Sequence, residues 1–246
     1  MLQNFKLIIE YDGQAYHGWQ RQKKDATIQG EIERAIEKMT GRDVSLIGSG
    51  RTDAGVHALG QVANFKCDTY LAPDVLQKGL TSLLPADIVI KSCERVAGDF
   101  HARYDVKSKT YLYRIHNHSV APAIGRQYVW HIPFRLHLKE MQLSLAFFAG
   151  THDFKAFEGA GSPRQHSIRT VARVALTPRE DGRLDFEIEA DGFLRHMVRN
   201  IVGTLVAVGS AKMTRTSLEA LFYSRDRRLA PPTAPAQGLF LKQVSY

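Results

Sequence analysis

The sequence is poor in the features that would tie it to a metal, a disulfide framework or a membrane. Its two cysteines, Cys67 and Cys93, lie far apart and in no Cys-x-x-Cys or Cys/His knuckle, so nothing supports a zinc ribbon or a dithiol redox motif. None of the ten histidines forms His-x-x-x-His or His-Glu-x-x-His, and pairings such as His116 with His118 or His152 with Asp153 are poor ligand sets; no metal is expected. No apolar run approaches the length needed to span a bilayer. The start, MLQNFKLIIEYDG, lacks the apolar core and cleavage pattern of a signal peptide, which makes the cytoplasm the expected location. No short repeat or low-complexity tract appears. What is in excess is positive charge: 33 Lys and Arg against 25 Asp and Glu give a net +8, which favours a polyanionic partner such as nucleic acid. The hydrophobic content of 44% over 246 residues is ordinary globular composition, with ample chain to bury a core.

Apolar periodicity predicts the elements. Residues 5–10 are β-prone and close on the turn signal Asp12-Gly13. Ile28, Ile32, Ala35, Ile36 and Met39 repeat at helical spacing, with Glu33 and Glu37 on another face and Gly41 as the stop. Short strands are expected over 44–47 and 61–66, with a glycine-punctuated loop, 48–60, between them. Pro73 opens a helix carrying Val75, Leu76, Leu80, Leu83 and Leu84 that ends before Pro85, and 88–96 reads as a strand. Residues 104–116 alternate, with Tyr111, Tyr113 and Ile115 on one face and Leu112 and Arg114 on the other. Residues 117–135 are loop-rich. Leu138, Met141, Leu145 and Phe148 mark a helix stopped by Gly150, and 159–169 has polar and basic turn character. A hairpin is predicted from 171–176 and 184–190, turning at Asp181-Gly182. A helix over 193–208 has the core stripe Leu194, Met197, Val198, Ile201, Leu205 and Val208, and places Arg195 and Arg199 on a shared face at i, i+4. A short helix over 217–223, a proline-rich loop and a closing strand over 239–246 complete the chain. This order is approximately β-α-β-β-α-β twice, with insertions in the second half. It predicts an α+β fold of two ferredoxin-like (RRM-like) halves, 1–105 and 106–246, whose antiparallel sheets flank a central catalytic cleft.

The most unusual stretch is GSGRTDAGVHALG, residues 48–60. Four glycines, Arg51, Asp53 and His57 within thirteen positions suggest a backbone shaped to approach a ligand. An Asx-turn at Asp53 with glycines at tight corners would give the same pattern. The stretch is not a Walker loop, since no Gly-Lys-Ser/Thr ends it, nor does it have the third glycine of a dinucleotide site. Tyr111 fits a core tyrosine, but with Lys107, Lys109 and Arg114 nearby it also fits the pairing of base-stacking aromatic and phosphate charge that RNA sites use. Arg195 and Arg199 would be a solvated helix face, were it not for Gly192 and Gly203, which let another backbone come close. His57 shares the loop of Asp53 and is expected to shape or hydrogen-bond the site.

Assembled in order, the blocks EYDGQAYHGWQRQ, GSGRTDAGVHALGQVANF, LPADIVI, FHARYDVKSKTYLYRI, GTHDFKAF, DGFLRHMVRNIVG and APAQGLFL resemble the TruA family of tRNA pseudouridine synthases. The resemblance covers nearly the whole chain, with 117–149 and 159–190 the least diagnostic stretches. It implies a reaction without cofactor or metal: uridine in tRNA is detached at its glycosidic bond, the base rotates, and C5 rather than N1 is rejoined to C1′. It implies that Asp53, in the Arg-Thr-Asp triplet, is the catalytic aspartate. Tyr111, in KTYLYR, matches the aromatic that stacks on the target uracil and can take the C5 proton, and Arg199, in HMVR, matches the basic residue paired with the carboxylate. Arg51 would contact the RNA backbone and help fill the space left by the flipped nucleotide, with His57, Lys109 and Arg195 as further substrate-binding candidates. The implied substrate is the anticodon arm of tRNA at nucleotides 38 to 40, and the implied assembly a homodimer with tRNA spanning both subunits. Attack of Asp53 on uracil C6, attack on ribose C1′ and elimination to a glycal all remain open routes.

Two other functions fit parts of the pattern. A non-catalytic RNA-binding protein would need only the basic surface and Tyr111. A hydrolase would use Asp53 with His57, but it has neither a third orienting group nor a metal set.

Overall fold

Alternation along Gln3–Tyr11 buries Phe5, Leu7, Ile9 and Tyr11 on one side of a strand, β1. The computed structural model to which it belongs describes residues 2–161 and 166–246. The chain divides into two compact units, one of the residues up to Lys107 together with Phe240–Tyr246, the other Ser108–Leu239. Both are mixed α and β with mostly antiparallel strands.

In the first unit β1 is followed by α1 (Ile28–Thr40), β2 (Ile47–Gly48), β3 (His57–Cys67), α2 (Pro73–Leu83) and β4 (Ile88–Val96). β1 is central, antiparallel to β3 on one side and to β4 on the other. Helix α1 starts where Thr27 accepts the Gly30 N–H and stops at Gly41, whose φ of 68° is left-handed. Its Ile28, Ile32 and Ile36 are buried, as are Leu76 and Leu80 of α2, whereas Val75 and Leu83 are exposed.

Two expectations change here. The strand expected over 44–47 shrinks to Ile47–Gly48 because side chains of α1 take the backbone groups a neighbouring strand would have used. The Leu46 N–H donates to Glu33 Oε1 at 2.9 Å and the Leu46 carbonyl accepts from Gln29 Nε2 at 3.1 Å. The glycine loop is also shorter than 48–60, since β3 already begins at His57.

The second unit runs β5 (Ser108–Asn117), β6 (Trp130–Ile132), α3 (Leu138–Ser144), β7 (Gly150–Asp153), β8 (Ile168–Pro178), β9 (Arg183–Ala190), α4 (Met197–Gly209) and α5 (Arg215–Ser224). Its sheet has the order β5-β9-β8-β7, antiparallel throughout, with β6 parallel to β5. The β8–β9 hairpin turns where Asp181 and Gly182 both take left-handed backbone. Every residue of α4 except Arg199 is buried, so the helix is enclosed rather than amphipathic. Beside it Phe148, Phe154, Phe157 and Phe222 form a cluster with ring centroids 5.0–6.1 Å apart.

The last strand, β10 (Leu239–Ser245), returns to the first unit, where Phe240 and Leu241 lie parallel to His57 and Ala58 of β3. The linear order had assigned it to 106–246. Of the turn segment expected over 159–169, residues 162–165 lie outside the described residues. Among the described residues no helix is long and apolar enough to cross a membrane, and no group of three or more His, Cys, Asp or Glu is placed to hold a metal ion.

Candidate active site

Within the first unit the Arg51-Thr52-Asp53 triplet lies on the loop between β2 and β3, held from both sides. From behind, Gln61 is fully buried within β3: its Oε1 accepts the Ser49 hydroxyl at 2.7 Å and its Nε2 donates to the Gly50 carbonyl at 3.0 Å. From the front, the segment after β1 lies directly on the loop. Trp19 N–H donates to the Thr52 carbonyl at 3.1 Å, and the Thr52 hydroxyl is 2.7 Å from the Tyr11 phenol. A side chain at Gly18, whose φ is 87°, would come within 2.5 Å of the Thr52 carbonyl oxygen, and one at Gly13 within 2.0 Å of that of Val56. These glycines are what allow EYDGQAYHGWQ and GRTDAGV to touch backbone to backbone.

Asp53 is half-buried at the crest of this loop. Its own carbonyl accepts the Val56 N–H at 3.1 Å, so the turn is closed by a backbone hydrogen bond. Arg51 is exposed, its Nε donating to Gln20 Oε1 at 3.1 Å. His57 is buried: its Nδ1 lies 2.9 Å from the Asp12 carboxylate and 3.1 Å from the Gly13 N–H, and its ring stacks on Phe240 at 4.8 Å. It therefore braces the loop from beneath, between the turn after β1 and β10. Burial raises the pKa of the Tyr11 phenol far above its usual value, with the hydrogen bond to Thr52 opposing, so it stays neutral.

Within the second unit Tyr111 is on β5 opposite Ile188 of β9, 8% exposed, its ring meeting Phe193 edge-on with centroids 5.0 Å apart. Lys109, two residues earlier on the same face, is half-buried opposite Ala190, and Arg114 is on the other face of the strand. Arg199, in the first turn of α4, exchanges two hydrogen bonds with one residue of the loop before β10. Its Nε donates to the Ala234 carbonyl at 2.8 Å and its own carbonyl accepts the Ala234 N–H at 3.1 Å. That loop is tied down one turn further on, where a side chain at Gly203 would be 2.1 Å from the Pro232 carbonyl oxygen. At its base, fully buried Asn200 accepts from Arg227 at 3.0 Å and from the Thr233 hydroxyl at 2.7 Å. The close backbone approach expected of Gly203 is found; among the described residues, a side chain at Gly192 would meet the Arg169 side chain, at 3.5 Å.

Arg195 corrects the sequence reading. The helix begins at Met197, not at 193, because His196 takes a left-handed φ of 58° and the Arg195 carbonyl accepts the Gly159 N–H at 2.8 Å instead of a helical partner. Arg195 is thus in the turn before α4, exposed and donating to the Ala160 carbonyl at 2.7 Å, and shares no helix face with Arg199. The supporting groups that sequence reasoning missed are Gln61, Asn200 and Arg227. Polar residues inside the apolar stretches QVANF and MVRNIVG were the available signal for the first two; Arg227 sits in a surface-like run and had none.

Comparison with known proteins bears on the whole of both units. A family model described as tRNA pseudouridine synthase matches residues 7–105 and 145–246. The tRNA pseudouridine synthase A of Acetivibrio thermocellus is 49% identical over 245 residues, covering 100% of each chain. That of Thermoanaerobacter sp. is 45% identical over 245 residues, again covering 100% of each, and the tRNA pseudouridine synthase A 2 of Clostridium perfringens is 43% identical with the same coverage. The chain belongs to the tRNA pseudouridine synthase family.

Proposed function

We propose that this isomerase converts uridine to pseudouridine at nucleotides 38, 39 and 40 of the anticodon arm of tRNA, with Asp53 as nucleophile. The observation that carries the assignment is the immobilised loop at Asp53, closed by backbone hydrogen bonds and clamped by Gly13 and Gly18. A nucleophile presented on a fixed backbone needs no reorganisation before it reacts. The glycosidic bond between N1 and C1′ breaks, a bond between C5 and C1′ forms, the C5 proton leaves and N1 acquires one. Nothing is oxidised or reduced overall, so no redox partner is needed, and the reading includes neither cofactor nor metal.

Tyr111 is the ring on which the extruded uracil stacks and the base that takes the C5 proton. Extrusion costs a few kcal/mol, and stacking returns about 1–3 kcal/mol of it. Arg199 is the basic residue assigned to pair with the reacting carboxylate. Arg51, Lys109 and Arg195 contact RNA phosphates, and His57 serves the substrate site by bracing the loop. The same reading has two ferredoxin-like halves, supported in the first unit by the strand arrangement β4-β1-β3 with β2 on β3, and a cytoplasmic homodimer with tRNA spanning both subunits.

The test is nucleoside analysis of undermodified tRNA incubated with the purified protein and no added cofactor. Pseudouridine is expected at the three anticodon-arm positions. Asp53→Asn should fold and bind tRNA normally but lose turnover by orders of magnitude. Substantial residual turnover would remove Asp53 from the nucleophile's place.

A further inference from the structure

We infer that Gln20, backed by Gln29 and Glu33, is a positioning residue that aims Arg51 at the RNA; the inference rests on the RNA-contacting role proposed for Arg51. The argument is one of hydrogen-bond polarity. An amide side chain has a donor end and an acceptor end, and a neighbour that can only accept fixes which way round it lies.

The chain starts at Glu33, a carboxylate buried on α1. Its Oε1 accepts from the Leu46 N–H and from Gln29 Nε2, both at 2.9 Å, and its Oε2 pairs with Arg21 at 3.0 Å. Gln29 must therefore turn its Nε2 inward, where the Leu46 carbonyl also accepts it, and its Oε1 outward. That outward oxygen accepts the Arg21 N–H at 2.9 Å and Gln20 Nε2 at 2.7 Å. Gln20 in turn must present its Oε1 on the far side, where it accepts from Arg51 Nε at 3.1 Å. Each link leaves one orientation for the next. With Nε engaged, the edge formed by the two terminal nitrogens of Arg51 is the one left for bidentate contact with a phosphate. The backbone on either side of Gln20 is fixed as well, through Trp19 N–H to the Thr52 carbonyl and Gln29 N–H to the Trp19 carbonyl.

If Gln20 acts through Arg51, its value disappears when Arg51 is gone. A role confined to holding the 18–21 segment on α1 would not depend on Arg51. Gln20→Met keeps the stem length and removes both ends of the amide, and the position is exposed, so the fold is retained. A double-mutant cycle of Gln20→Met with Arg51→Ala separates the two roles. The measured quantity is kcat/KM for pseudouridine formation in single turnover, which follows losses of several orders of magnitude. Gln20→Met should lower it by about three- to tenfold beside Arg51 and leave it unchanged in the Arg51→Ala background. Equal losses in both backgrounds, or no loss beside Arg51, would overturn the inference while leaving the role of Arg51 standing. No loss from Arg51→Ala alone would instead remove Arg51 from the RNA contacts, and the inference with it.

Discussion

At Tyr111 one side chain is assigned two tasks, stacking and proton transfer, and its packing makes them separable. The ring is held by the edge contact with Phe193, so phenylalanine would occupy the same place without the hydroxyl. If stacking were its whole contribution, Tyr111→Phe would work nearly as well as the native enzyme, and Tyr111→Leu would lose the equivalent of about 1–3 kcal/mol. The hydroxyl is assigned to the C5 proton, so Tyr111→Phe should bind tRNA normally and turn over about 10²- to 10⁴-fold more slowly in a single-turnover assay. Two other tyrosines report on stability. Burial raises the phenol pKa of Tyr11 and Tyr113 above the unfolded value, although the charge of Arg199 opposes this at Tyr113. The native state then holds protons that the unfolded chain releases near pH 10, about the free-tyrosine value. Stability from these groups is whole below that pH and falls as the pH rises beyond it. Ultraviolet titration should show the two phenols ionising only together with loss of the native circular dichroism; their ionisation in a still-folded protein would contradict the packing described.

Elements differ in how far local sequence decides them. Helix α1 was legible because the isoleucine repeat and the Gly41 stop act inside one segment, and β4 because Pro85 and the apolar run bound it. Where partners come from elsewhere in the chain, the reading failed: β2 lost its backbone groups to Gln29 and Glu33, and α4 lost its first turn to Gly159. The strands β6 and β7, of three and four residues, are too short for alternation to register. In the loop 48–60 the candidate residues stand out in the sequence, but the clamp that holds their loop does not, because Gly18 is thirty-odd residues away and looks like any turn glycine. That clamp can be tested against a neutral position. Gly18→Ala sets a Cβ against the Thr52 carbonyl at a left-handed backbone, whereas Gly41→Ala has the same handedness with nothing within 4 Å. Gly41→Ala should cost about 1 kcal/mol in urea unfolding and leave turnover intact. Gly18→Ala should cost about 2 kcal/mol or more and lower turnover besides, since the loop carrying Asp53 must shift. Equal costs with equal turnover would show that the contact does not hold the site.

At the scale of the whole molecule the sequence declared a partner more clearly than a shape. The net +8 and the ordered blocks pointed to RNA, while the return of β10 to the first unit is a pairing between residues about 180 positions apart, for which local pattern has no signal. Charge also makes the last expectation quantitative. Phosphate contacts displace counterions from the RNA, so affinity falls as a power of salt concentration set by the number of contacts. If six or more lysines and arginines meet phosphates, tRNA affinity should drop about 10³-fold or more between about 50 and 200 mM salt. Arg51→Ala should make that slope shallower by about one contact and weaken all tRNAs alike, because phosphate contacts carry no base identity. Tyr111→Leu should leave the slope unchanged while weakening the complex at every salt concentration, since stacking releases no counterions. Filter binding across a salt series measures both slopes, and a shallower slope for Tyr111→Leu together with an unchanged one for Arg51→Ala would reverse the roles assigned to the two residues.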